Sequence, residues 1–386
     1  MPNPEGFGRK NPFRATLLRT RSLTGPGSGK DTRHFEISLS GSGLSYLPGD
    51  SLGVFPRCPP SLVQATIDAL GFQASDRVQT ATGQDVRLEE ALSHHVSIHR
   101  ASKKILYGLA ERLPAGSSER SRLEALIADE PAAAEFLHPR DYLDLLKEFP
   151  AARFESPQAF LKMLSPIQPR LYSIASSPSA HIGEVHLCVA VVRYQTFGRN
   201  KTGLASGFLA DHTTVGEPNI PVFVQGSAKF RLPSDRSRDI IMVGPGTGIA
   251  PFRAFLEQRE IDGGSGRNWL FFGEQHRATD FLYQADIEGF LKRSVLSRLD
   301  VAFSRDQAAK VYVQHRMLEQ AAELWRWIQG GAYFYVCGDA RRMAKDVHAT
   351  LVRIVSEQGG MTPENATVYV EETMARQDKR YLKDVY

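Results

Sequence analysis

Residues 239–252, DIIMVGPGTGIAPF, run an apolar strand, three alternate glycines and the start of a helix together without a break. Glycines at 244, 246 and 248 let the backbone approach a pyrophosphate, whose charge then faces the helix N-terminus. Pro251 suits the first turn of that helix. The spacing is GxGxGxxP, not the GxGxxG of the usual dinucleotide fingerprint, so a tight structural turn is the competing explanation. The strand-to-helix setting favours a phosphate site.

Downstream of this turn, short apolar strands at Asp239–Val243, Asn268–Gly273, Leu299–Phe303 and Ala332–Cys337 alternate with helical spacing at Pro251–Ile261, Phe281–Leu291, Arg316–Ile328 and Arg341–Glu357. Such alternation implies a parallel sheet covered by helices on both faces. The ligand crevice is then expected at the C-terminal ends of the strands. Upstream, Arg33–Leu39 (RHFEISL) alternates at period two, and strand texture returns at Arg170–Ala175, Glu184–Tyr194 and Pro221–Gln225. Between these β-rich parts, Leu62–Leu70, Leu123–Ile127 and Tyr142–Phe149 carry helical spacing, with Pro114, Pro131, Pro139 and Pro157 as stops. The expected organisation is a tail at 1–12, a β-barrel from 13–59 and 165–235, a helical insertion at 60–164, and an α/β domain at 236–386.

Length and composition agree with several globular domains. The chain has 386 residues, 42% hydrophobic and 23% charged, which excludes disordered, collagenous and coiled-coil classes. A net charge of +4 from 47 basic and 43 acidic residues gives no argument for nucleic acid. No apolar run reaches the ~18 residues of a membrane helix, and no secretory signal is visible. Cys58, Cys188 and Cys337 make neither a disulfide framework nor a zinc motif, so a reducing cytoplasm is expected. His94 and His95 have no third ligand nearby in sequence, and no metal site is expected.

Two further clusters carry chemistry. Ser304, Arg305, Lys310, Tyr312 and Gln314 follow the strand Leu299–Phe303, at the sheet edge where an adenosine would lie. A hydroxyl, a guanidinium and an ammonium suit a ribose 2′-phosphate better than the acidic residue of an NAD site does. Arg170-Leu171-Tyr172-Ser173 sets a cation, a ring and a hydroxyl at alternate strand positions, with Gly203-Leu204-Ala205-Ser206 downstream. On physics alone, packing explains a strand-end tyrosine equally well.

The stretches RLYSIASS (170–177), GLAS (203–206), GPGTGIAPF (244–252), SRDQAAKVYVQ (304–314), YVCGD (335–339) and YLKDVY (381–386) resemble the diflavin reductase family. The likeness is nearest to the FAD/NADPH half of sulfite reductase flavoproteins and runs from about Phe13 to Tyr386. It implies an antiparallel FAD-binding β-barrel with a helical insertion, followed by a parallel-sheet NADP-binding α/β domain of the ferredoxin–NADP reductase type. By the same resemblance, Arg170 meets the FAD pyrophosphate, Tyr172 stacks on the isoalloxazine and Ser173 bonds near its N5. Leu171, Cys188, Val189, Ala190 and Tyr194 line the flavin, and Gly203, Leu204, Ala205 and Ser206 take its phosphates. Thr247 would meet the NADP pyrophosphate, Ser304, Arg305, Lys310, Tyr312 and Gln314 the 2′-phosphate end, and Asp346 a further NADP position. Ser173, Cys337 and Asp384 would flank the nicotinamide, and Tyr386 would cover the flavin face.

Only twelve residues precede Phe13, and no flavodoxin-like FMN loop is present. One flavin, FAD, is therefore expected, with NADPH as donor and a separate redox partner as acceptor, either a flavodoxin-like FMN protein or a sulfite reductase hemoprotein. An NADPH diaphorase acting on small oxidants and a non-catalytic nucleotide-sensing module are the alternatives. Neither nucleic acid nor membrane is an expected partner.

Overall fold

The computed structural model describes residues 6–386; Met1–Glu5, part of the expected tail, lie outside the described residues. The chain divides into two compact units. The first comprises the chain up to Gly53, Leu171–Ala190 and Thr214–Tyr386, and the second Val54–Arg170 and Val191–Thr213.

The first unit holds two sheets. One has six strands in the order Arg170–Ser173, Ser51–Val54, Ile220–Gln225, Phe13–Ser22, Thr32–Ser38 and Glu184–Ala190. Phe13–Ser22 pairs antiparallel with both neighbours, and Thr32–Ser38 pairs antiparallel with Glu184–Ala190. The other sheet is parallel, in the order Arg298–Phe303, Asn268–Glu274, Ile240–Val243, Tyr333–Gly338 and Tyr381–Val385. Its interior strands are unbroken apolar runs because both faces are covered. Ile241, Val243, Trp269, Phe271, Phe334 and Val336 enter one core. The intervening Ile240, Met242, Leu270, Phe272, Tyr335 and Cys337 enter the other. A period of two thus feeds two cores from the same strands.

The fifth strand, Tyr381–Val385, is an element that periodicity did not announce. It pairs with Tyr333–Gly338 in a register that sets Asp384 opposite Cys337. The helix expected over Arg316–Ile328 is two helices, Val313–Glu319 and Ala321–Gln329, meeting at Gln320.

The second unit is mainly helical. Pro60–Leu70, Lys103–Arg112, Ser118–Ala128, Glu130–Leu137 and Tyr142–Glu148 pack Ile67, Leu106, Leu109, Leu123, Leu137 and Tyr142 into one core. A hairpin of Arg193–Thr196 with Arg199–Thr202 turns on Phe197 and Gly198, both at positive φ (51° and 68°), the backbone of a two-residue type I′ loop. The hairpin presents Arg199 and Lys201 to Asp141 and Asp144. Those two carboxylates also form the capping box of helix Tyr142–Glu148. Burial raises the Asp144 carboxyl, but hydrogen bonds from Lys201, the Asp141 backbone and Arg199 outweigh it and hold the group below its ordinary range.

Asp144→Ala leaves the buried Lys201 ammonium short of its nearest partner, an arrangement that costs about 3–5 kcal/mol. Faster proteolysis within residues 54–170 is the expected result. A depressed carboxyl contributes stability above the ordinary carboxylate range and loses it as pH falls through the folded-state value. Acid sensitivity of this unit is therefore expected to diminish in Asp144→Asn.

Candidate functional site

A cleft of about 500 Å³ opens at the C-terminal edge of the parallel sheet. The turn after Ile240–Val243 forms one wall. Gly248 there packs so tightly that a Cβ would lie 2.1 Å from the Cys337 carbonyl oxygen, and Gly246 holds φ +59°. Ser304, Arg305, Lys310, Tyr312, Gln314 and Asp346 all line this one cleft. Gln314 Nε2 donates to Asp346 Oδ2 at 3.3 Å. The Arg305 and Lys310 side chains have no ion-pair or hydrogen-bond partner among the described residues.

Four cleft residues, Lys30, Glu274, Asp339 and Arg342, escaped sequence reasoning. Lys30, from the loop between Phe13–Ser22 and Thr32–Ser38, donates to both Glu274 carboxylate oxygens at 2.6 and 2.8 Å. Arg342 lies at the start of helix Met343–Gly359, where Asp339 Oδ2 accepts from the Arg342 and Met343 backbone N–H groups at 2.8 and 3.2 Å. Those bonds, the Arg342 one foremost, hold the Asp339 carboxyl below its ordinary range. Glu274 and Asp339 stand at strand ends, a usable signal. Lys30 carries none, because its partner is 244 positions away.

A second grouping forms beside the glycine turn. Ser173 Oγ donates to Asp384 Oδ2 at 2.6 Å, and Cys337 Sγ lies 3.9 Å from the same oxygen. Tyr386 continues the last strand: its N–H donates to the Gly338 carbonyl at 3.1 Å, and its carbonyl accepts from Ala340 at 3.0 Å. The Tyr386 hydroxyl is 2.9 Å from Thr247 Oγ1. Burial pushes the Cys337 thiol well above its ordinary range, with the Asp384 charge adding to the shift.

The remaining candidates are more dispersed. Cys188 is buried in the core that also contains Phe252 and Cys337, and Val189 is buried beside it, whereas Ala190 is exposed. Leu171 is exposed, and Tyr172 is half-buried. In the second unit, Arg170 and Tyr194 are exposed, and Arg170 has no partner among the described residues. Gly203 leads helix Leu204–Asp211, whose N-terminus has no side-chain cap. A Cβ at Gly203 would fall 2.7 Å from Ser206 Oγ, which accepts from the Val192 N–H at 3.2 Å.

Two family models match the chain: an FAD binding domain over residues 5–208 and an oxidoreductase NAD-binding domain over 242–349. The first covers more than half of the chain, so the chain belongs to the FAD binding domain family. It is 47% identical to the sulfite reductase [NADPH] flavoprotein alpha-component of Vibrio cholerae, over 98% of this chain and 60% of that protein. It is 46% identical to the corresponding protein of Bacillus subtilis, over 98% of this chain and 62% of the relative. The chain thus spans about three-fifths of the length of the curated relatives it matches. This chain is an oxidoreductase with FAD- and nicotinamide-nucleotide-binding domains, and none of its described helices is long and apolar enough to cross a membrane.

Thiol accessibility checks the burial at this site. Burial pushes Cys58 up to about 11 and Cys188 up to about 12, with Cys337 also raised, so all three stay protonated and shielded at pH 8. An aromatic disulfide reagent is expected to find no fast thiol in the native protein, and three after unfolding.

Proposed function

We propose that this chain is an NADPH-dependent FAD reductase that delivers electrons to a separate acceptor. The observation that carries the reading is the pair of partnerless cations, Arg305 and Lys310, in the cleft beside the glycine turn. Two uncompensated positive charges next to Ser304 suit a ribose 2′-phosphate, which NADPH has and NADH lacks. Tyr312 supplies a face for the adenine, and Gln314 with Asp346 supplies polar contacts. Thr247, in the turn where a Cβ at Gly248 has no room, is placed for the pyrophosphate.

The residues present also fit FAD. Arg170 has no partner among the described residues, and the uncapped helix behind Gly203 offers the N–H groups of Leu204, Ala205 and Ser206 to phosphate. Tyr172 would stack on the isoalloxazine and Ser173 would bond near its N5; Leu171 and Ala190 are exposed, whereas Cys188 and Val189 have buried side chains and could offer only backbone. When bound, FAD supplies the conversion of a two-electron donor into single-electron transfers.

The chain's own part is positioning. Ser173 and Asp384 lock each other through a 2.6 Å hydrogen bond, which holds a carboxylate where positive charge grows on an oxidised nicotinamide. Cys337, kept neutral by burial, fills the adjoining volume without adding charge. Tyr386 is pinned through its backbone at Gly338 and Ala340, so the group that yields to nicotinamide is the phenol ring, released from Thr247. The barrel at 13–59 and 165–235, the insertion at 60–164 and the NADP domain at 236–386 are the functional division we propose. A flavodoxin-like FMN protein or a sulfite reductase hemoprotein is the proposed acceptor. The relatives' name, sulfite reductase [NADPH] flavoprotein, supports both the donor and this acceptor class.

Anaerobic mixing of the holoprotein with NADPH is expected to bleach its flavin much faster than mixing with NADH. Arg305→Ala should raise KM for NADPH about 10- to 100-fold, the loss of one charged hydrogen bond, and leave KM for NADH unchanged. Equal effects on the two donors would remove the phosphate clamp. Deleting Tyr386 should raise kcat/KM for NADH while FAD content stays constant; unchanged NADH kinetics would count against the covering ring.

A further inference from the structure

The strand Glu184–Ala190 begins at a turn whose chemistry the reductase reading leaves unused. The Glu184 N–H donates to the His181 carbonyl at 3.2 Å, closing a four-residue turn through Gly183 at φ +76°. That turn folds His181 back over the strand. Glu184 and His186, two apart, project from the same strand face. A donor atom from each of His181, Glu184 and His186 lies within 4.8 Å of those of the other two. The two imidazole rings are tilted at a centroid distance of 4.1 Å.

His186 is the informative member. Its side chain is 3% exposed, and its Nε2 is 3.2 Å from Glu184 Oε2. Its Nδ1 is buried with no hydrogen-bond partner among the described residues. A buried ring nitrogen without a partner is costly unless something accepts its lone pair.

The surroundings are built for a cation. Glu257 Oε1 holds His181 Nε2 at 3.1 Å, leaving Nδ1 as that ring's other nitrogen. Glu257 is itself fixed by Arg253 at 2.8 Å and by the Ser177 N–H at 2.8 Å. Arg253 is balanced a second time by Asp286 at 2.6 Å. Across the sheet, Glu36 stands opposite His186 in register and reaches His34 Nε2 at 3.4 Å. His34 Nδ1 lies 2.8 Å from the Tyr283 hydroxyl, and Arg21 lies over the Tyr283 ring at 5.7 Å. Arg19 also reaches Glu36 at 4.0 Å, so the carboxylates Glu36, Glu184, Glu257 and Asp286 outnumber Arg19, Arg21 and Arg253 by one, a net negative charge that favours a bound cation. His181 and Glu184 remain partly exposed, which gives an entry path.

We propose that His181, Glu184 and His186 form a binding site for a first-row divalent transition cation of the zinc class, with Glu257 as the carboxylate that orients His181. Two imidazoles and one carboxylate are a donor set for zinc rather than for magnesium or calcium. The ion clips the 177–183 turn to the start of its strand and, through Glu257, to helix Ala250–Asp262 of the same unit. The carboxylate-to-histidine contact matches the outer-shell pattern that fixes a ligating ring.

The test is equilibrium dialysis of chelator-treated holoprotein against ZnCl2, read by elemental analysis, with thermal unfolding followed in parallel. One zinc per chain and a Tm that rises with zinc are expected, with no such response to MgCl2. His181→Ala and Glu184→Gln should each weaken zinc binding at least about tenfold and abolish the Tm response. Both positions are partly exposed, so the variants should keep wild-type flavin content, and this sets loss of the site apart from misfolding and from failure of the reductase reading. No stoichiometric zinc on the wild type, or undiminished zinc on both variants, would overturn the proposal.

Discussion

The contact on which the rest of the first unit depends is backbone against backbone. The turn after Ile240–Val243 touches the end of the neighbouring strand Tyr333–Gly338 at Gly248, where any side chain would strike the Cys337 carbonyl. Gly244 is equally constrained, since its Cβ would fall 2.6 Å from the Gly248 carbonyl oxygen. This close approach occurs where the strand order reverses, between the first strand and the fourth. There the crossovers leave on opposite faces and a crevice must open. Sheet topology makes the crevice, and glycine keeps it open.

Charge is handled in opposite ways in the two units. In the second, Arg199 and Lys201 are matched with Asp141 and Asp144, so the helical insertion holds its hairpin through compensated, mostly buried pairs. In the cleft, Arg305 and Lys310 remain uncompensated, while Lys30 is neutralised by Glu274 a short distance away. Arg305 and Lys310 are exposed and solvated, so their lack of a partner costs little in the free protein and leaves both charges available to the anion proposed for this cleft. The Ser173–Asp384–Cys337 grouping is different again. There one carboxylate is held by a hydroxyl and faces a thiol kept neutral by burial.

The histidine cluster beside strand Glu184–Ala190 shows how local spacing and long-range packing combine. The HxxExH spacing of 181–186 is visible in the chain, but its meaning rests on Glu257, Arg253 and Asp286, contributed more than sixty residues later. Without them the turn would be an ordinary surface one. With them it has an oriented imidazole and an excess of carboxylate.

Much of this protein was legible in its residues. The glycine turn announced a tight strand-to-helix junction, and unbroken apolar runs announced a two-faced parallel sheet. The clustered Ser304, Arg305 and Lys310 marked out residues that do line one cleft, because these signals depend on neighbours within a dozen positions. What stayed hidden was whatever depends on register or on distant partners. Asp384 meets Cys337 only because the last five-residue strand pairs in one particular alignment. Lys30 enters the cleft beside the glycine turn across 244 positions, and Cys188 turns into a core rather than toward solvent. Periodicity specifies which face of an element is apolar; only the packed tertiary structure decides which distant side chain lies against it.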